Sequence, residues 1–227
     1  MPVVFPYSHR LVGDSHLVWD WNGTLLDDMA IVVKAVNRSI RALGASSITG
    51  DDYRDHYTRP VRQFYDRLFG RIVSDEEWLR LNTGFHDAYF DLAHQADLAP
   101  GARQAMDQLE KSGWTQSLLS MSPQDWLDGI VRRLEIHERF EIVDGLSGPT
   151  GGLKARHLEE HLEVLGVEGS TTVVIGDTPD DVAAARHVGA RAILFHGGSH
   201  HMEVLEAEGV PIAETIEEAV GLALSPP

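Results

Sequence analysis

Four separated segments of the chain carry side chains that could act together on a phosphate ester. In two of them an apolar run leads directly into an aspartate, at Asp20 and at Asp177. A third apolar run leads into the hydroxyl of Ser120, and the fourth segment contributes Lys154, one of three lysines in the chain. Carboxylate oxygens are ligands that Mg²⁺ prefers, and a carboxylate can also act as a covalent nucleophile. These residue types therefore predict metal-assisted phosphoryl transfer.

The electrostatics of that reaction explain why these residues are needed together. An anionic nucleophile approaches a multiply charged phosphoryl group, so positive charge must neutralise both partners. Lys154, together with a Mg²⁺ ion held by Asp20 and Asp177, would supply that charge. Asp181 follows Asp177 by four residues and would complete the metal site or support it.

An alternating α/β arrangement must bring these segments together. After Pro100-Gly101, short apolar strands are predicted at residues 115–119, 140–143, 172–175, 191–195 and 210–213. Helical patterns lie between and after them, at residues 104–111, after Pro123, at residues 154–165, 180–188 and 201–208, and after Thr215. Such alternation predicts an α/β fold with a doubly wound, Rossmann-like parallel sheet. Ligands bind such sheets at the carboxyl ends of the strands.

A helical segment interrupts this pattern after the first strand. Val32, Val36 and Ile40 recur at helical spacing, and Ser74 with Glu77 forms a capping-box sequence that opens another helix. No strand is predicted within this segment. We therefore predict an α/β core of residues 1–26 and 98–227 and an inserted α-helical cap of residues 27–97, with residues 1–15 as an irregular lead-in.

The four segments resemble, in order and spacing, the motifs of the haloacid dehalogenase-like hydrolases. Asp20 to Thr24 matches the first motif, Asp-x-Asp-Gly-Thr, and the resemblance extends from His16 to the C-terminus. The cap placement is most similar to the phosphoglycolate phosphatase-like group. The resemblance implies that Asp20 is a nucleophile that forms an aspartyl-phosphate. The roles it implies for the other residues are a backbone metal ligand at Asn22, phosphate contacts at Gly23, Ser120, Met121 and Lys154, and Mg²⁺ ligands at Asp20, Asp177 and Asp181.

Asn22 departs from the family motif. Phosphatases of the family carry a second aspartate there, which protonates the leaving group and later deprotonates the attacking water. An amide has no proton to exchange in this way, and general acid–base help is worth on the order of 10²–10⁴-fold. The backbone carbonyl is unaffected by the side-chain change. We therefore expect a slow or unusual phosphatase in which the backbone carbonyl of Asn22 still binds the metal.

Residues outside the four segments give weaker predictions. Arg59, beside Pro60 in the middle of the predicted cap, is a candidate substrate contact because related caps reach the site from such a loop. The aromatic residues Trp78, Phe85, Tyr89 and Phe90 are expected to pack the cap. The twelve histidines are scattered, and His157 with His161 lacks the pattern of a zinc hydrolase, so we expect surface histidines.

Composition limits the classes of partner. The formal net charge is −16, which disfavours nucleic acid and anionic membranes as partners, and the absence of cysteine excludes disulfides and a cysteine nucleophile. No apolar segment approaches the length of a membrane span, so a cytoplasmic protein is the default expectation. The expected partner is a small-molecule phosphate ester.

Three alternatives remain beside a Mg²⁺-dependent phosphatase of small phosphomonoesters. A dehalogenase would work without metal and leaves Asp177 and Asp181 unexplained. Phosphonate hydrolysis would need an imine-forming cap lysine, and Lys34 in the first cap helix is the only lysine there. A phosphate-binding or interaction module with little turnover is the third alternative.

Overall fold

The protein is described by a computed structural model that covers residues 15–147 and 153–226. Its strands are β1 (His16–Trp19), β2 (Leu26–Asp27), β3 (Asp97–Leu98), β4 (Thr115–Pro123), β5 (Val143–Leu146), β6 (Thr172–Gly176), β7 (Arg191–Phe195) and β8 (Ile212–Ala213). Its helices are α1 (Met29–Arg41), α2 (Gly50–His56), α3 (Val61–Phe69), α4 (Asp75–Leu92), α5 (Ala102–Lys111), α6 (Gln124–Arg133), α7 (Lys154–Leu165), α8 (Pro179–Val188), α9 (Met202–Glu206) and α10 (Ile216–Leu224).

Six strands form one parallel sheet in the order β5-β4-β1-β6-β7-β8. Strand β1 lies between β4 and β6, and Trp19 pairs with Leu118 on one side and Ile175 on the other. Strands β1 and β6 are buried along their whole length. This explains why they read as continuous apolar runs in the sequence, as strands covered on both faces do.

Helices cover both faces of the sheet. Leu17 and Trp19 of β1 belong to an apolar cluster that includes residues of α5, α6 and α10. Val18, between them in the strand, belongs to a second cluster with Leu158 and Leu162 of α7. Successive side chains of a strand point to opposite faces, so the two clusters lie on opposite sides. The predicted doubly wound α/β fold is confirmed.

The helices α1–α4, here called the helical insert (residues 29–92), lie between β2 and β3 in the chain. Strands β2 and β3 pair antiparallel, with Leu26 opposite Leu98, and so bring the two ends of the insert together. The insert contains a separate apolar cluster that includes Ile40, Phe64 and Leu81. The chain therefore leaves the sheet and returns to it at one place, as an inserted segment requires.

Local sequence rules account for the helix ends in the insert. Ser74 accepts a hydrogen bond from the Glu77 amide at 3.2 Å, and the Glu77 carboxylate accepts one from the Ser74 amide at 2.9 Å. Thr49 and Asp52 form the same reciprocal pair at the start of α2. These contacts satisfy amides that the first helical turn leaves without partners.

Two expectations from the sequence are wrong. The strand predicted at residues 140–143 is instead β5, displaced towards the C-terminus by a turn of 3₁₀ helix at His137–Arg139. His16 and His161 are not surface residues: both are buried, and His161 has Nε2 at 2.7 Å from Ser117 Oγ and Nδ1 at 2.8 Å from Asp144 Oδ2. A buried polar side chain needs such partners, and β4 and β5 supply them.

Some expectations fall outside the described residues. This is the case for the irregular lead-in of residues 1–15, of which the structure describes only Ser15. Within residues 15–147 and 153–226, no helix combines the length and the apolar character needed to cross a bilayer.

Candidate active site

The carboxyl ends of three neighbouring strands meet at one edge of the sheet. Asp20 follows β1, Asp177 follows β6, and Ser120 lies in β4 two residues beyond the Leu118 that pairs with Trp19. The Asp20 amide donates to the Ile175 carbonyl at 2.8 Å, which continues the pairing between β1 and β6 up to the site. The three positions are far apart in the chain, and the parallel topology brings them together.

The Asp20 carboxylate is held between a cation and a hydroxyl. Lys154 Nζ contacts Asp20 Oδ1, and Thr24 Oγ1 donates to Asp20 Oδ2 at 3.1 Å. Burial raises the pKa of the Asp20 carboxyl to about 6, although the Lys154 ammonium opposes the rise. The side chain is therefore fixed in place and remains next to positive charge.

Lys154 bridges two carboxylates. It opens α7, and its Nζ lies 2.5 Å from Asp181 Oδ1 as well as beside Asp20. Burial alone would lower the pKa of the Lys154 ammonium, but the carboxylates of Asp181 and Asp20 raise it above its ordinary value. The other Asp181 oxygen accepts hydrogen bonds from the Thr178 amide at 3.0 Å and the Thr178 hydroxyl at 2.7 Å. Asp181 thus positions the lysine and also takes part in the N-terminal cap of α8.

The Asp177 carboxylate fits into a space that only glycines can leave open. A Cβ at Gly198 would lie 1.7 Å from Asp177 Oδ2, and a Cβ at Gly23 would lie 2.7 Å from it. Gly23 also has a φ of 74°, a left-handed conformation that glycine adopts without strain. The Ser199 amide donates to Asp177 Oδ2 at 2.9 Å. The main chain therefore packs directly against this carboxylate.

Asp20, Asp177 and Asp181 form one buried acidic cluster. One oxygen from each lies within 4.8 Å of the others. Burial, together with repulsion from the Asp20 and Asp181 carboxylates, raises the pKa of Asp177 well above its ordinary value. Lys154 Nζ contacts the Asp20 and Asp181 carboxylates, and among the described residues no lysine or arginine forms an ion pair with Asp177.

The hydroxyl of Ser120 is buried at the same edge of the sheet as the acidic cluster. Ser120 is 1% exposed, and its Oγ accepts a hydrogen bond from the Ser122 amide at 3.1 Å. Met121, the next residue, lines a cavity between the sheet and the helical insert. The sequence-predicted phosphate contacts therefore lie at the same strand ends as the carboxylates.

The Asn22 side chain is fully engaged in a hydrogen-bond network. Its Nδ2 donates to Asp28 Oδ2 at 2.8 Å and to the Tyr89 hydroxyl at 2.6 Å, while its Oδ1 accepts from Ser122 Oγ at 2.8 Å. The Tyr89 hydroxyl in turn donates to Asp28 Oδ2 at 2.5 Å, and the Gly23 amide donates to Asp28 Oδ1 at 2.9 Å. Burial raises the pKa of the Asp28 carboxyl.

The cavity next to Asn22 has a volume of about 220 Å³. Asn22, Gly23 and Ser122 of the core contribute to its wall, and most of the other wall residues are apolar or aromatic residues of the insert. Arg59 also lines it, but its Nε lies 3.1 Å from Asp180 Oδ2 on the core. The predicted substrate contact is thus at the cavity and already paired with a carboxylate.

Sequence reasoning missed Asp28, Tyr89, Ser122, Gly198 and Ser199. Asp28 lies eight residues after Asp20 and Tyr89 lies on α4, so no short motif links them to the site. Tyr89 was expected only to pack the insert, yet its hydroxyl reaches Asn22. Gly198 belongs to none of the four motif segments, yet it packs directly against Asp177.

Comparisons with known proteins agree with this geometry. A phosphoglycolate phosphatase of Vibrio parahaemolyticus is 24% identical over 215 residues, which cover 89% of this chain and 92% of that protein. A phosphoglycolate phosphatase of Psychrobacter arcticus is 27% identical over 198 residues, covering 83% and 86% of the two chains. The solved structure of a haloacid dehalogenase-like family hydrolase from Streptococcus pneumoniae superposes with a TM-score of 0.79 at 20% identity, covering 92% of this chain and 97% of that one.

The model of the haloacid dehalogenase-like hydrolase family matches residues 15–189, a span that begins just before β1 and ends just after α8. All four motif segments lie within that span, and the predicted resemblance is confirmed. The chain belongs to the haloacid dehalogenase-like hydrolase family.

Proposed function

We propose that this protein is a Mg²⁺-dependent phosphatase that hydrolyses a small phosphomonoester through an aspartyl-phosphate on Asp20. The observation that supports this most is the convergence of Asp20, Lys154 and Asp177 at one sheet edge, with Lys154 in contact with Asp20. The relatives named phosphoglycolate phosphatases support phosphomonoesters as the substrate class.

The donor set of the acidic cluster fits Mg²⁺. Asp20 and Asp177 offer buried carboxylate oxygens, and bringing three carboxyl groups this close together favours a bound cation. The backbone carbonyl of Asn22 is the further protein ligand in this proposal, while Asp181 is committed to Lys154 and Thr178. When bound, the cation would neutralise the charge on the nucleophile and the phosphoryl oxygens.

The chain's own residues divide the remaining work. Asp20 attacks phosphorus as the bond from phosphorus to the ester oxygen breaks, and the alcohol leaves with a proton taken up from solvent. Lys154 holds the Asp20 carboxylate in place and offsets the charge that builds up between carboxylate and phosphate. Ser120, the Met121 amide and Gly23 are the proposed contacts to the phosphoryl oxygens. Water then attacks the aspartyl-phosphate and releases inorganic phosphate.

The helical insert is proposed to act as a cap over this edge of the sheet, in line with the division into a core and a cap of residues 27–97. Arg54 of α2 donates to the Gly198 carbonyl at 3.2 Å, and His201 Nε2 lies 2.9 Å from Asp55 Oδ1. These contacts connect the insert to the loop that packs on Asp177. The substrate would be enclosed between the helical insert and this edge of the sheet, and this enclosure would exclude water from the reacting groups.

The nucleophile assignment is tested by comparing wild type with Asp20→Asn, using acetyl phosphate and p-nitrophenyl phosphate with Mg²⁺ or with EDTA. Asp27→Asn is the matched control because Asp27 is an exposed aspartate in the same segment. We expect activity that needs Mg²⁺ in wild type and in Asp27→Asn, and none in Asp20→Asn. Equal, metal-independent rates in all three proteins would contradict the mechanism, and phosphate binding without turnover would favour a binding module.

A further inference from the structure

The cavity beside the proposed phosphate site is lined mainly by apolar and aromatic side chains. Asn22 and Gly23, which closely follow Asp20 in the chain, contribute to its wall. The apolar and aromatic part of the wall includes Val32 of α1, Phe64 of α3, and Phe85 and Phe90 of α4. A phosphate ester whose phosphoryl group lies at Asp20 would place its leaving group among these side chains.

The size of the cavity matches one aromatic ring. Its volume is about 220 Å³. A cavity of roughly 150 Å³ lined by apolar side chains accommodates benzene. A single ring with a short substituent therefore fits, and aromatic rings in the wall offer it offset or edge-on contacts.

The charges around the cavity disfavour a carboxylated leaving group such as glycolate. Among the residues that the structure describes, Arg59 is the only lysine or arginine in the cavity wall, and its guanidinium is paired with Asp180. Asp28 also lines the wall and would repel a second carboxylate. A buried carboxylate needs a charge partner, and the arginine of this cavity wall already has one in Asp180.

The side chain at position 22 favours a leaving group that can depart without being protonated. Asn22 has no proton to give to a departing alkoxide, and both hydrogens of its amide are committed to Asp28 and Tyr89. A phenol has a pKa of about 10, whereas the pKa of water, which an aliphatic alcohol resembles, is about 15.7. A phenolate can therefore leave without the general acid that an alkoxide requires.

We propose that the natural substrates are monoaryl phosphates, with the ring in this cavity and the phosphoryl group at Asp20. The assignment rests on the proposed phosphatase function and specifies its substrate class. The bond from Asp20 to phosphorus forms as the phosphorus–oxygen bond to the ring breaks, and the electron pair leaves on the phenolate oxygen. Water then attacks the aspartyl-phosphate, giving inorganic phosphate, and the phenolate takes up a proton from solvent.

The test compares kcat/KM of the wild-type protein for four substrates with Mg²⁺: phenyl phosphate, cyclohexyl phosphate, phosphoglycolate and acetyl phosphate. Acetyl phosphate has a good leaving group too small to need the cavity, so it reports on the phosphatase function alone. We expect phenyl phosphate to exceed phosphoglycolate by at least about ten-fold, the scale of discrimination that a hydrophobic pocket provides. We expect it to exceed cyclohexyl phosphate by at least about ten-fold as well, because phenolate leaves without a general acid.

The outcomes separate the two proposals. If none of the four substrates is hydrolysed, the phosphatase function itself is wrong. If acetyl phosphate is hydrolysed but phosphoglycolate equals or exceeds phenyl phosphate, the phosphatase function stands and the aryl assignment is overturned. Equal rates for the phenyl and cyclohexyl esters would likewise overturn it, because these rings are similar in size and differ in their leaving groups.

A filled cavity gives an independent readout. Val32→Phe adds volume at the wall, and Val164→Phe, at a position that is 76% exposed on α7, is the matched control. We expect Val32→Phe to lower the ratio of phenyl phosphate to acetyl phosphate turnover at least about ten-fold and Val164→Phe to leave it unchanged. An unchanged ratio in a folded Val32→Phe protein, judged by circular dichroism, would overturn the proposed ring site.

Discussion

The side-chain amide of Asn22 donates a hydrogen bond to the carboxylate of Asp28. The family motif has its second carboxylate at position 22, whereas this chain has an amide there and a buried carboxylate at position 28 that accepts its hydrogen bond. A carboxylate introduced at position 22 alone would therefore face Asp28. Two adjacent buried carboxylates cannot both ionise easily, so one of them would retain a proton.

This geometry changes the expected effect of restoring the motif. We predict that Asn22→Asp alone gives a small gain, and that Asn22→Asp with Asp28→Asn raises kcat/KM for cyclohexyl phosphate at least about ten-fold above the single variant. The double variant reverses the direction of the hydrogen bond but keeps it, and general acid–base help is worth on the order of 10²–10⁴-fold. Steady-state kinetics on alkyl and aryl esters measures this.

The leaving group provides the control for that prediction. Phenyl phosphate needs less protonation, so its rate should change less than that of the cyclohexyl ester in the same double variant. Equal gains for both esters would argue that Asn22 limits the rate for a reason other than proton transfer.

The contact between Gly198 and Asp177 gives a second prediction for single residues. Gly198→Ala would place a methyl group 1.7 Å from Asp177 Oδ2, and the carboxylate would have to move. We expect the Mg²⁺ concentration for half-maximal activity to rise ten-fold or more, on the scale seen when groups that orient metal ligands are lost.

Gly129→Ala is the matched control for Gly198→Ala. Gly129 is an exposed residue of α6 with open space at its Cβ position. Alanine there should leave the Mg²⁺ response unchanged and stabilise the protein by roughly 0.5–1 kcal/mol through its helix propensity. An unchanged Mg²⁺ response in Gly198→Ala as well would remove Asp177 from the proposed metal site.

At the level of elements, the loop before α3 is connected to the start of α8 by the ion pair of Arg59 and Asp180. Both side chains are about half exposed, and pairs of this kind contribute roughly 0.2–1 kcal/mol. We predict that Arg59→Gln and Asp180→Asn each change kcat/KM for phenyl phosphate by less than about five-fold, and that their effects are not additive.

Arg59→Gln combined with Asp180→Asn completes a double-mutant cycle for this pair. The sequence-based hypothesis that Arg59 contacts the substrate predicts a different pattern. In that case Arg59→Gln alone would cause a large loss, and Asp180→Asn would be nearly silent. The relative size of the two single effects therefore distinguishes a contact between insert and core from a substrate contact.

The elements that the sequence predicted well are those with a complete local pattern. The predicted limits of α7 and β7, at residues 154–165 and 191–195, are those observed, because apolar periodicity and turn residues mark both ends. Strands β2 and β3 have two residues each and therefore no period to detect. Strand β5 contains Asp144 and Gly145, residues that favour turns, so its position depends on pairing with β4.

The same distinction applies to the site. Asp20, Ser120, Lys154 and Asp177 could be predicted because each belongs to an ordered series of motifs: Asp20 and Asp177 directly follow strands, Ser120 lies near the end of β4, and Lys154 opens α7. The contact between Tyr89 and Asn22 could not, because it joins residues 67 positions apart and depends on how α4 lies against the core. No local propensity encodes that packing.

For the whole molecule, the sheet buries a polar network beneath the site as well as its apolar clusters. His16 in β1 is 0% exposed, with Nδ1 at 2.7 Å from Thr115 Oγ1 and Nε2 at 2.8 Å from Ser117 Oγ. Ser117 continues the network to His161 of α7, and His161 to Asp144 of β5. Three core strands and one helix are thus joined by side-chain hydrogen bonds that exist only in the folded protein.

This network makes stability depend on pH in a defined direction. Burial, with a smaller contribution from His161, lowers the pKa of His16 to about 3, whereas the pKa of an unfolded histidine is about 6.5. Between these values the unfolded chain binds the proton and the folded protein does not, so the free energy of unfolding falls as the pH is lowered through this window. Above pH 6.5 the contribution is complete.

We therefore predict that His16→Gln flattens the pH dependence of stability. For these pKa values, linkage gives a loss of about 2 kcal/mol from His16 between neutral pH and pH 5, and glutamine, which does not titrate, removes it. Urea unfolding at pH 7.5 and pH 5 measures the difference, with His94→Gln as the control at an exposed histidine. The variant starts less stable at pH 7.5 if glutamine fits the hydrogen bonds less well, but it should lose less on acidification than wild type. If His16→Gln loses as much unfolding free energy between pH 7.5 and pH 5 as wild type and His94→Gln do, then His16 accepts its proton in the folded protein.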